Sequence, residues 1–148
     1  MPQAREEKNM VGDRPTAMPQ IIPYLYYDDA GAAIDFMEQV FGFQVEQAFR
    51  DPESNRVLHA TVRTGSGVIF VGPGMEAFGT QGMPDPDRVP AMTYVFVEDV
   101  AAHYERVRSS AATLRSELHE HFGGNRQYTV SDPFGQRWTF AQPVAHAS

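Results

Sequence analysis

The stretch "YTVSDPFGQRWTFAQP", residues 128–143, carries the clearest structural pattern in the chain. Two runs rich in β-branched and aromatic residues flank an Asp-Pro-Phe-Gly sequence at 132–135, and such runs favour β-strands. Pro133 fixes its own φ, and Gly135 tolerates a positive φ, which is what a tight turn requires. The stretch therefore predicts a β-hairpin that ends the folded part of the chain.

The composition is that of a single acidic globular protein. The chain has 148 residues, of which 42% are hydrophobic, with no cysteine and a formal net charge of −7. Because nucleic acids and anionic membranes attract clustered Lys and Arg, the charge argues against both as partners. The absence of cysteine excludes disulfides, thiolate metal sites and a Cys nucleophile. With no apolar run of about 20 residues and no signal-peptide pattern, the sequence predicts no membrane span and a cytoplasmic location.

The first half of the chain predicts one strand, one helix and three more strands. "IIPYLYY" (21–27) is the first strand, and "DDAGAAIDFMEQVFGF" (28–43) is a helix with Asp29 as its N-cap and Gly42 as its left-handed stop. "QVEQAFR", "RVLHATVR" and "GVIFV" predict the next three strands. Apolar residues of the helix recur at spacings of three and four, namely Ala33, Ile34, Met37, Val40 and Phe41.

The same order of elements follows in the second half. "AMTYVFV" (91–97) predicts a strand, and Asp99 caps a helix with an apolar stripe. "TLRSELH", "RQYTVS" and "QRWTFA" are the three strands that follow. Tyr24 and Tyr94 lie 70 residues apart (94 − 24 = 70), as do Asp29 and Asp99, so the repeat is weak in sequence but clear in element order. The chain therefore predicts an α+β fold of two βαβββ modules.

Composition also sets the expected boundaries. A polar N-terminal tail covers 1–19, and the first module covers 20–72. A Gly/Pro-rich loop at 73–90 has a length that is typical of a linker or a functional loop. The second module covers 91–142, and a short tail covers 143–148. One open alternative is that the loop makes the protein an interaction module.

Three stretches together resemble a known family. With "YYDDAGAAIDFMEQVFGF" early, "RVLHATV" in mid-chain and "GNRQYTVSDPFGQRWTF" at the end, residues 20–142 resemble the vicinal oxygen chelate superfamily, which holds glyoxalases, bleomycin-resistance proteins and extradiol dioxygenases. The resemblance is strongest to its PhnB-like branch. It implies a curved mixed sheet around a cavity, with helices on the outside, in a homodimer.

The resemblance also implies positions for a metal. Metal-dependent members hold a divalent ion with four inward His, Glu or Gln side chains, and counting from the helix caps and glycine turns places these at Ile22, His59, Met92 and Thr139. Ile cannot coordinate, a Met thioether is too soft for such sites, and neutral Thr is a poor ligand. The sequence therefore predicts neither a metal nor another cofactor. A divalent ion held by His59 stays open as the alternative.

Alternation along the strands defines the expected cavity wall. In the strand at 56–63, the apolar Leu58, Ala60 and Val62 are placed beneath a helix, so the residues that alternate with them face the cavity. Aromatic walls with a few polar groups are typical of small-molecule sites, and two guanidinium groups favour a ligand with an anionic or carbonyl group. The predicted cavity-facing residues are Ile22, Tyr24, Tyr26, His59, Thr61, Arg63, Met92, Tyr94, Phe96, Arg137 and Thr139.

The predicted function is the binding or sequestering of an apolar or aromatic small molecule, without a catalytic metal. His59 is either a hydrogen-bonded cavity histidine or a catalytic base, because its neutral form is available near pH 7. The alternative is a lyase, isomerase or dioxygenase-type enzyme that uses a divalent metal, with His59 as ligand or base. The sequence leaves open whether the protein is an enzyme.

The remaining histidines are weaker candidates. His119 and His121 in "LHEHF" would share one face of a strand and could bind a metal, but the glycines that follow favour a solvated polar loop. His103 lies off the apolar stripe of its helix and is predicted to be exposed. His146 falls in the C-terminal tail.

Overall fold

The structure is a computed structural model, and it describes residues 18–121 and 123–144. Most of the predicted N-terminal tail and the last four residues, with His146, lie outside the described residues. The described part is an α+β fold built around two mixed sheets, which confirms the predicted fold class.

The first sheet comprises the strands of the first half in the order β1-β4-β3-β2. The short β1 runs parallel to β4, so the helix between β1 and β2 crosses one face of the sheet. The other pairs are antiparallel. The elements are β1 (Tyr24–Tyr26), α1 (Ala30–Phe36), β2 (Gln44–Arg50), β3 (Val57–Arg63) and β4 (Val68–Gly72).

The second sheet repeats this arrangement in the order β5-β9-β8-β6, with β7 also paired to β8. The prediction of one strand from "TLRSELH" is wrong. The backbone N–H groups of Arg115 and Ser116 both donate to the carbonyl of Thr129. Two residues of this segment therefore face a single residue of the neighbouring strand, and the regular strand pairing ends there. The elements are β5 (Thr93–Phe96), α2 (Val100–Arg108), β6 (Thr113–Leu114), β7 (His119–His121), β8 (Asn125–Ser131) and β9 (Arg137–Pro143).

The helix termini follow the predicted capping chemistry. Asp29 and Asp99 are the N-caps of α1 and α2, and each carboxylate accepts a hydrogen bond from the backbone N–H three residues on. The first helix continues beyond α1 as a π-helical turn at Met37–Phe41 and stops at Gly42, whose φ is 78°. Neither helix, nor any other in the described part of the chain, has the length and apolar character to cross a membrane.

The last hairpin forms as predicted. The N–H of Asp132 donates to the carbonyl of Gln136 at 2.9 Å, and Gly135 has a φ of 101°. The turn sets the register of β8 and β9, which places Tyr128 opposite Phe140 on the buried face. The stretch that predicts a hairpin therefore also supplies a large part of the core.

One hydrophobic core joins the two halves. The ring of Phe41, at the end of the first helix, lies 5.2 Å from the ring of Trp138 and 4.8 Å from that of Phe140, both in β9. All three side chains are buried. The helices thus pack between the modules, and each sheet turns its other face away from this core.

His103 is buried, and the prediction that it is exposed is wrong. Only 5% of the residue is accessible, because it lies between Val100 and Val107 on the inward face of α2. Its Nε2 lies 3.0 Å from the carbonyl oxygen of Phe41, and its Nδ1 bonds to the hydroxyl of Tyr128. Helical spacing alone predicted that this polar side chain is exposed. In the structure Phe41 of the first module and Tyr128 of the second module supply partners for the two ring nitrogens.

Candidate functional site

Strand register places five predicted site residues on one face of the first sheet. Tyr24 lies opposite Phe70, which in turn lies opposite Thr61. Side chains two residues apart on a strand share a face, so Tyr26 joins Tyr24. We call this surface the N-face, and its residues are Tyr24, Tyr26, His59, Thr61, Arg63 and Phe70.

The second sheet presents an equivalent surface, which we call the C-face. Tyr94 lies opposite Thr139, and Phe96 lies opposite Ala141. Thr139 donates a hydrogen bond to the sulfur of Met92 at 3.3 Å, which draws Met92 to the same surface. Ile22, which was predicted to face the same cavity, belongs to neither face: it precedes β1, is half-buried and is not among the paired residues of the first sheet. The C-face residues are Met92, Tyr94, Phe96, Gln127, Thr129, Ser131, Arg137, Thr139 and Ala141.

Both faces are open in a single chain. Tyr24 is 39% exposed, Tyr94 is 41% exposed and Phe96 is 58% exposed. The opposite faces of both sheets form the buried core, so nothing among the described residues covers these rings. The residues that the sequence assigned to one cavity are therefore divided between two faces of the chain, where the aromatic rings are uncovered and Thr61 and Thr139 are buried.

Leu58 does not pack beneath a helix, which corrects part of the predicted strand phase. It is 49% exposed, whereas Val57 is buried. The pairing of β2 with β3 is irregular between Phe49 and Arg50, and this bulge turns Val57 inward in place of Leu58. Ala60 lies beyond the irregularity and is buried as predicted.

The centre of the N-face is a hydrogen bond between Tyr24 and His59. The tyrosine hydroxyl lies 2.9 Å from Nδ1 of the imidazole. The ring of Phe70 lies 4.8 Å from the imidazole, and Tyr26 stacks on Tyr24 with ring centroids 4.8 Å apart. Burial lowers the pKa of His59, so the imidazole is neutral at pH 7. In the tautomer in which Nδ1 accepts from Tyr24, Nε2 carries the proton and can donate to a bound molecule.

Gly72 makes room for this hydrogen bond, and the sequence analysis missed it. A Cβ at this position would lie 2.8 Å from the Tyr24 hydroxyl and 3.2 Å from the carbonyl oxygen of Leu58. A larger residue would therefore push Tyr24 away from His59. A glycine at a strand end is ordinary in sequence, so this role depends on a contact that only the fold creates.

The C-face carries a polar network around the repeated tyrosine. The Tyr94 hydroxyl donates to Oε1 of Gln127 at 2.7 Å and accepts from the amide of Asn125 at 2.9 Å. Beside it, the hydroxyls of Thr129 and Thr139 lie 2.8 Å apart. The C-face is therefore more polar than the N-face, although both carry a tyrosine at the same place.

Register changes which residues are equivalent between the modules. Phe70 and Thr139 each lie opposite the repeated tyrosine, so these two are counterparts. His59 lies two residues before Thr61 in β3, and Gln127 lies two before Thr129 in β8, which makes His59 the counterpart of Gln127. His59 and Thr139 therefore do not hold equivalent positions in the two modules.

The donors present do not fit a divalent metal. Thr139 already bonds to another threonine and to a thioether, and the His59 imidazole lies among aromatic rings. Within residues 18–121 and 123–144, no three His, Cys, Asp or Glu side chains converge. Protein sites for divalent ions need several oxygen or nitrogen ligands, and the residues on these two faces do not supply such a set.

The two arginines among the predicted site residues have protein partners. Nε of Arg63 lies 2.8 Å from a carboxylate oxygen of Glu46, which offsets its charge. Arg137 donates to Oγ of Ser131 at 3.1 Å and to the carbonyl of Pro86 at 2.7 Å. Arg63 is therefore less available to an anionic ligand than the sequence suggested.

His119 and His121 lie in a strand rather than in the polar loop that the glycines favoured. They pair with Gln127 and Asn125 of β8, so both belong to one side of the sheet edge. Nδ1 of His119 bonds to the carbonyl of Glu117 at 2.8 Å. In the described part of the chain no third acidic or histidine side chain joins them.

Two clefts in the single chain reach the edge of the C-face, and a third lies away from both faces. Two clefts of about 290 and 310 Å³ lie where β1 meets β5, and both include Pro23 and Tyr94. A larger cleft of about 580 Å³ lies near Asp51, Arg56 and Gln81. Its walls mix polar and apolar groups and carry no aromatic ring, so the N-face, with its aromatic cluster and neutral imidazole, is the better candidate for an apolar ligand.

A family comparison matches this architecture. The model of the Glyoxalase/Bleomycin resistance protein/Dioxygenase superfamily matches residues 17–140, and the chain belongs to this superfamily. An uncharacterized protein of Mycobacterium bovis is 30% identical over 129 residues, which cover 85% of this chain and 84% of the relative. An uncharacterized protein of Mycobacterium tuberculosis is also 30% identical, with 85% of this chain and 75% of the relative covered.

Solved structures agree on the fold. TioX from Micromonospora sp. ML1 matches with a TM-score of 0.66 and 27% identity, over 88% of this chain and 100% of that one. The PhnB protein of Bacillus cereus matches with a TM-score of 0.61 and 15% identity, over 84% of this chain and 99% of that one. The second likeness concerns the fold alone, and it agrees with the PhnB-like resemblance of the sequence.

Proposed function

We propose that this protein binds an apolar or aromatic small molecule against its N-face, without a catalytic metal. The observation that carries the proposal is the stacked pair of Tyr24 and Tyr26 beside the neutral imidazole of His59. Stacked rings offer a flat apolar surface, and aromatic pairs contribute about 0.5–1.5 kcal/mol beyond their buried area.

The polar groups of the N-face give a ligand its orientation. Tyr24 fixes the plane of the His59 ring, so Nε2–H is a donor with a set direction. Phe70 and Phe49 lie on either side of the same ring and limit access by water. An aromatic molecule with one acceptor atom, such as a carbonyl or ring oxygen, matches this arrangement.

A second copy of the chain closes the site in this proposal. Large exposed aromatic patches on a soluble domain are typical of interaction surfaces. Tyr24 and Tyr94 hold equivalent places in the two sheets, so a twofold pairing can set the N-face of one protomer against the C-face of its partner. The acidic charge of the chain does not oppose this, because charged groups sit at the rim of such interfaces.

Titration with indole tests the proposal directly. The His59 ring signals in an NMR spectrum should shift on addition of indole, and Tyr24→Ala should weaken binding about ten-fold because it removes one stacked ring. Phe78→Ala is the matched control, since Phe78 is exposed but lies in the loop after β4. Unmoved His59 signals, or equal affinity in wild type and Tyr24→Ala, would refute the proposal. As a separate measurement, native mass spectrometry of the purified protein would identify a natural ligand that remains bound during purification.

The Tyr24–His59 hydrogen bond favours one second candidate, a lyase or isomerase that uses the other tautomer of His59. In that tautomer Nδ1–H donates to the Tyr24 hydroxyl, and the unprotonated Nε2 removes a proton from the bound molecule. Such a reaction exchanges a C–H proton of the ligand for deuterium in D₂O. Wild type should show this exchange by NMR and His59→Gln should not. Retention of the proton in wild type would leave binding as the function.

A further inference from the structure

Two arginines lie side by side at one end of the C-face. Arg137 begins β9, and Arg115 follows β6. The Nε atoms of Arg115 and Arg137 donate to Oγ of Ser131 at 2.8 and 3.1 Å. The Nη2 atoms of both donate to the carbonyl oxygen of Pro86 at 2.9 and 2.7 Å. Because both guanidinium groups bind the same two oxygens, their positive charges are held close together.

The loop between the modules supplies the negative charge at this pair. A carboxylate oxygen of Asp87 lies 3.0 Å from Nη2 of Arg115, with 75% of the Asp87 side chain exposed. Asp85 caps the same turn by accepting the N–H of Asp87. If the loop moves away, its carboxylates leave with it, and two guanidinium groups remain without these acidic partners.

The sheet holds the backbone and the Nε atom of each arginine in place. Arg137 lies directly opposite the buried Ser131, and the backbone N–H of Arg115 donates to the carbonyl of Thr129 at 2.8 Å. The loop instead rests on the hairpin turn. At Gly135 a Cβ would lie 3.2 Å from the side chain of Met83, so the loop approaches a position without a side chain. The sheet therefore holds the Nε side of each guanidinium group, and the loop occupies the Nη2 side.

We infer that Arg115 and Arg137 form a subsite for an acidic group, a carboxylate or a phosphate, and that the loop occupies this subsite until a ligand displaces it. The carbonyl of Pro86 and the carboxylate of Asp87 are oxygen acceptors of the kind that guanidinium groups bind in anions. The inference rests on the proposed function for the apolar part of the ligand, which would extend from the subsite over the C-face to the N-face of the partner protomer.

Binding of benzoate, benzamide and inorganic phosphate tests the subsite. Benzoate and benzamide share a ring and differ in charge, so their ratio of affinities reports the subsite alone. Wild type should bind benzoate about ten-fold more tightly than benzamide, a difference that one charge-assisted hydrogen bond supports. Arg115→Gln and Arg137→Gln should each remove most of this preference. Arg108→Gln is the matched control, because that arginine is exposed at the end of α2 and lies on neither face, and it should keep the preference.

Asp87→Asn separates a ligand subsite from a purely structural clamp. This exposed change removes the competing carboxylate, so it should raise the affinity for benzoate and phosphate several-fold and speed amide hydrogen exchange at residues 84–90. A clamp without a ligand role would show the faster exchange and no gain in anion affinity. That result, or an equal affinity of wild type for benzoate and benzamide, would overturn the inference.

The outcomes also separate this inference from the proposed function. Binding of benzamide without any preference for benzoate would retain the aromatic site and reject the subsite. Arginine-dependent binding of phosphate, with no binding of benzamide or indole, would retain the subsite and reject the aromatic site. Failure of all the probes to bind would reject both.

Discussion

The hydroxyl of Tyr27 donates to Oδ2 of Asp132 across 2.6 Å, and this buried hydrogen bond joins the residue after β1 to the last hairpin. Asp132 also accepts from Nε1 of Trp138 at 3.0 Å and from two backbone N–H groups of its own turn. Burial raises the pKa of Asp132, while the hydrogen bonds that it accepts oppose the rise. The hairpin turn is thus also a polar connection between the modules.

Tyr27→Phe should destabilise the protein by about 1–3 kcal/mol, because a buried carboxylate loses one of its donors. Urea unfolding followed by tryptophan fluorescence measures the change, since Trp138 is buried in the same core. Tyr104→Phe is the control, because no hydrogen bond of its hydroxyl occurs within the described residues, and it should change stability by less than about 0.5 kcal/mol. Equal effects of the two changes would contradict this role for Tyr27.

His103 should make the protein less stable in mild acid. Burial lowers its pKa from 6.5 to about 4, and the Arg106 guanidinium acts in the same direction. Between these two pH values the unfolded chain binds more protons at this residue than the folded chain does. The free energy of unfolding should therefore fall by about 2–3 kcal/mol as the pH drops from 6.5 to about 4.

The measurement is urea unfolding at several pH values for wild type and His103→Gln. Gln can accept from Tyr128 and donate to Phe41 but does not titrate, so the variant should lose most of this pH dependence. His119→Gln, a change at an exposed histidine, should retain it. An unchanged slope in His103→Gln would assign the acid sensitivity to other groups.

Homodimer formation should depend on the C-face. Phe96→Lys places a charge on the most exposed aromatic ring of that surface and should weaken dimerisation at least about ten-fold, as expected for an aromatic residue at the centre of an interface. Light scattering over a dilution series measures the change. Phe78→Lys is the control, because Phe78 is 73% exposed but lies on neither face. A monomeric wild type would remove the basis of the closed site.

Elemental analysis of dialysed protein should find less than about 0.1 divalent metal per chain, because a single imidazole does not retain such an ion. The measurement should be made after growth with and without added Zn, Mn, Ni and Fe. His59→Gln serves as a comparison. Stoichiometric metal that disappears in this variant would establish the alternative of a metal-dependent enzyme.

The sequence by itself determined the parts of the fold that follow local rules. Asp29 and Asp99 predict the two helix starts, because a capping carboxylate needs no distant partner. Gly42 and Gly135 predict a helix stop and a turn from their conformational freedom alone. Together with strand alternation, these residues were enough to predict two similar modules and, outside the bulge at Leu58, which residues share a sheet face.

Tertiary structure alone decided what those faces contact. The exposure of Leu58 depends on a bulge in the neighbouring strand, and the burial of His103 depends on a carbonyl in the other module. Arg115 gave no sign of a site in the sequence, because its partners come from a distant strand and from the loop between the modules. Contacts between residues far apart in the chain have no periodic pattern, so hydrophobic spacing predicts which residues lie on a strand but not which partners they meet.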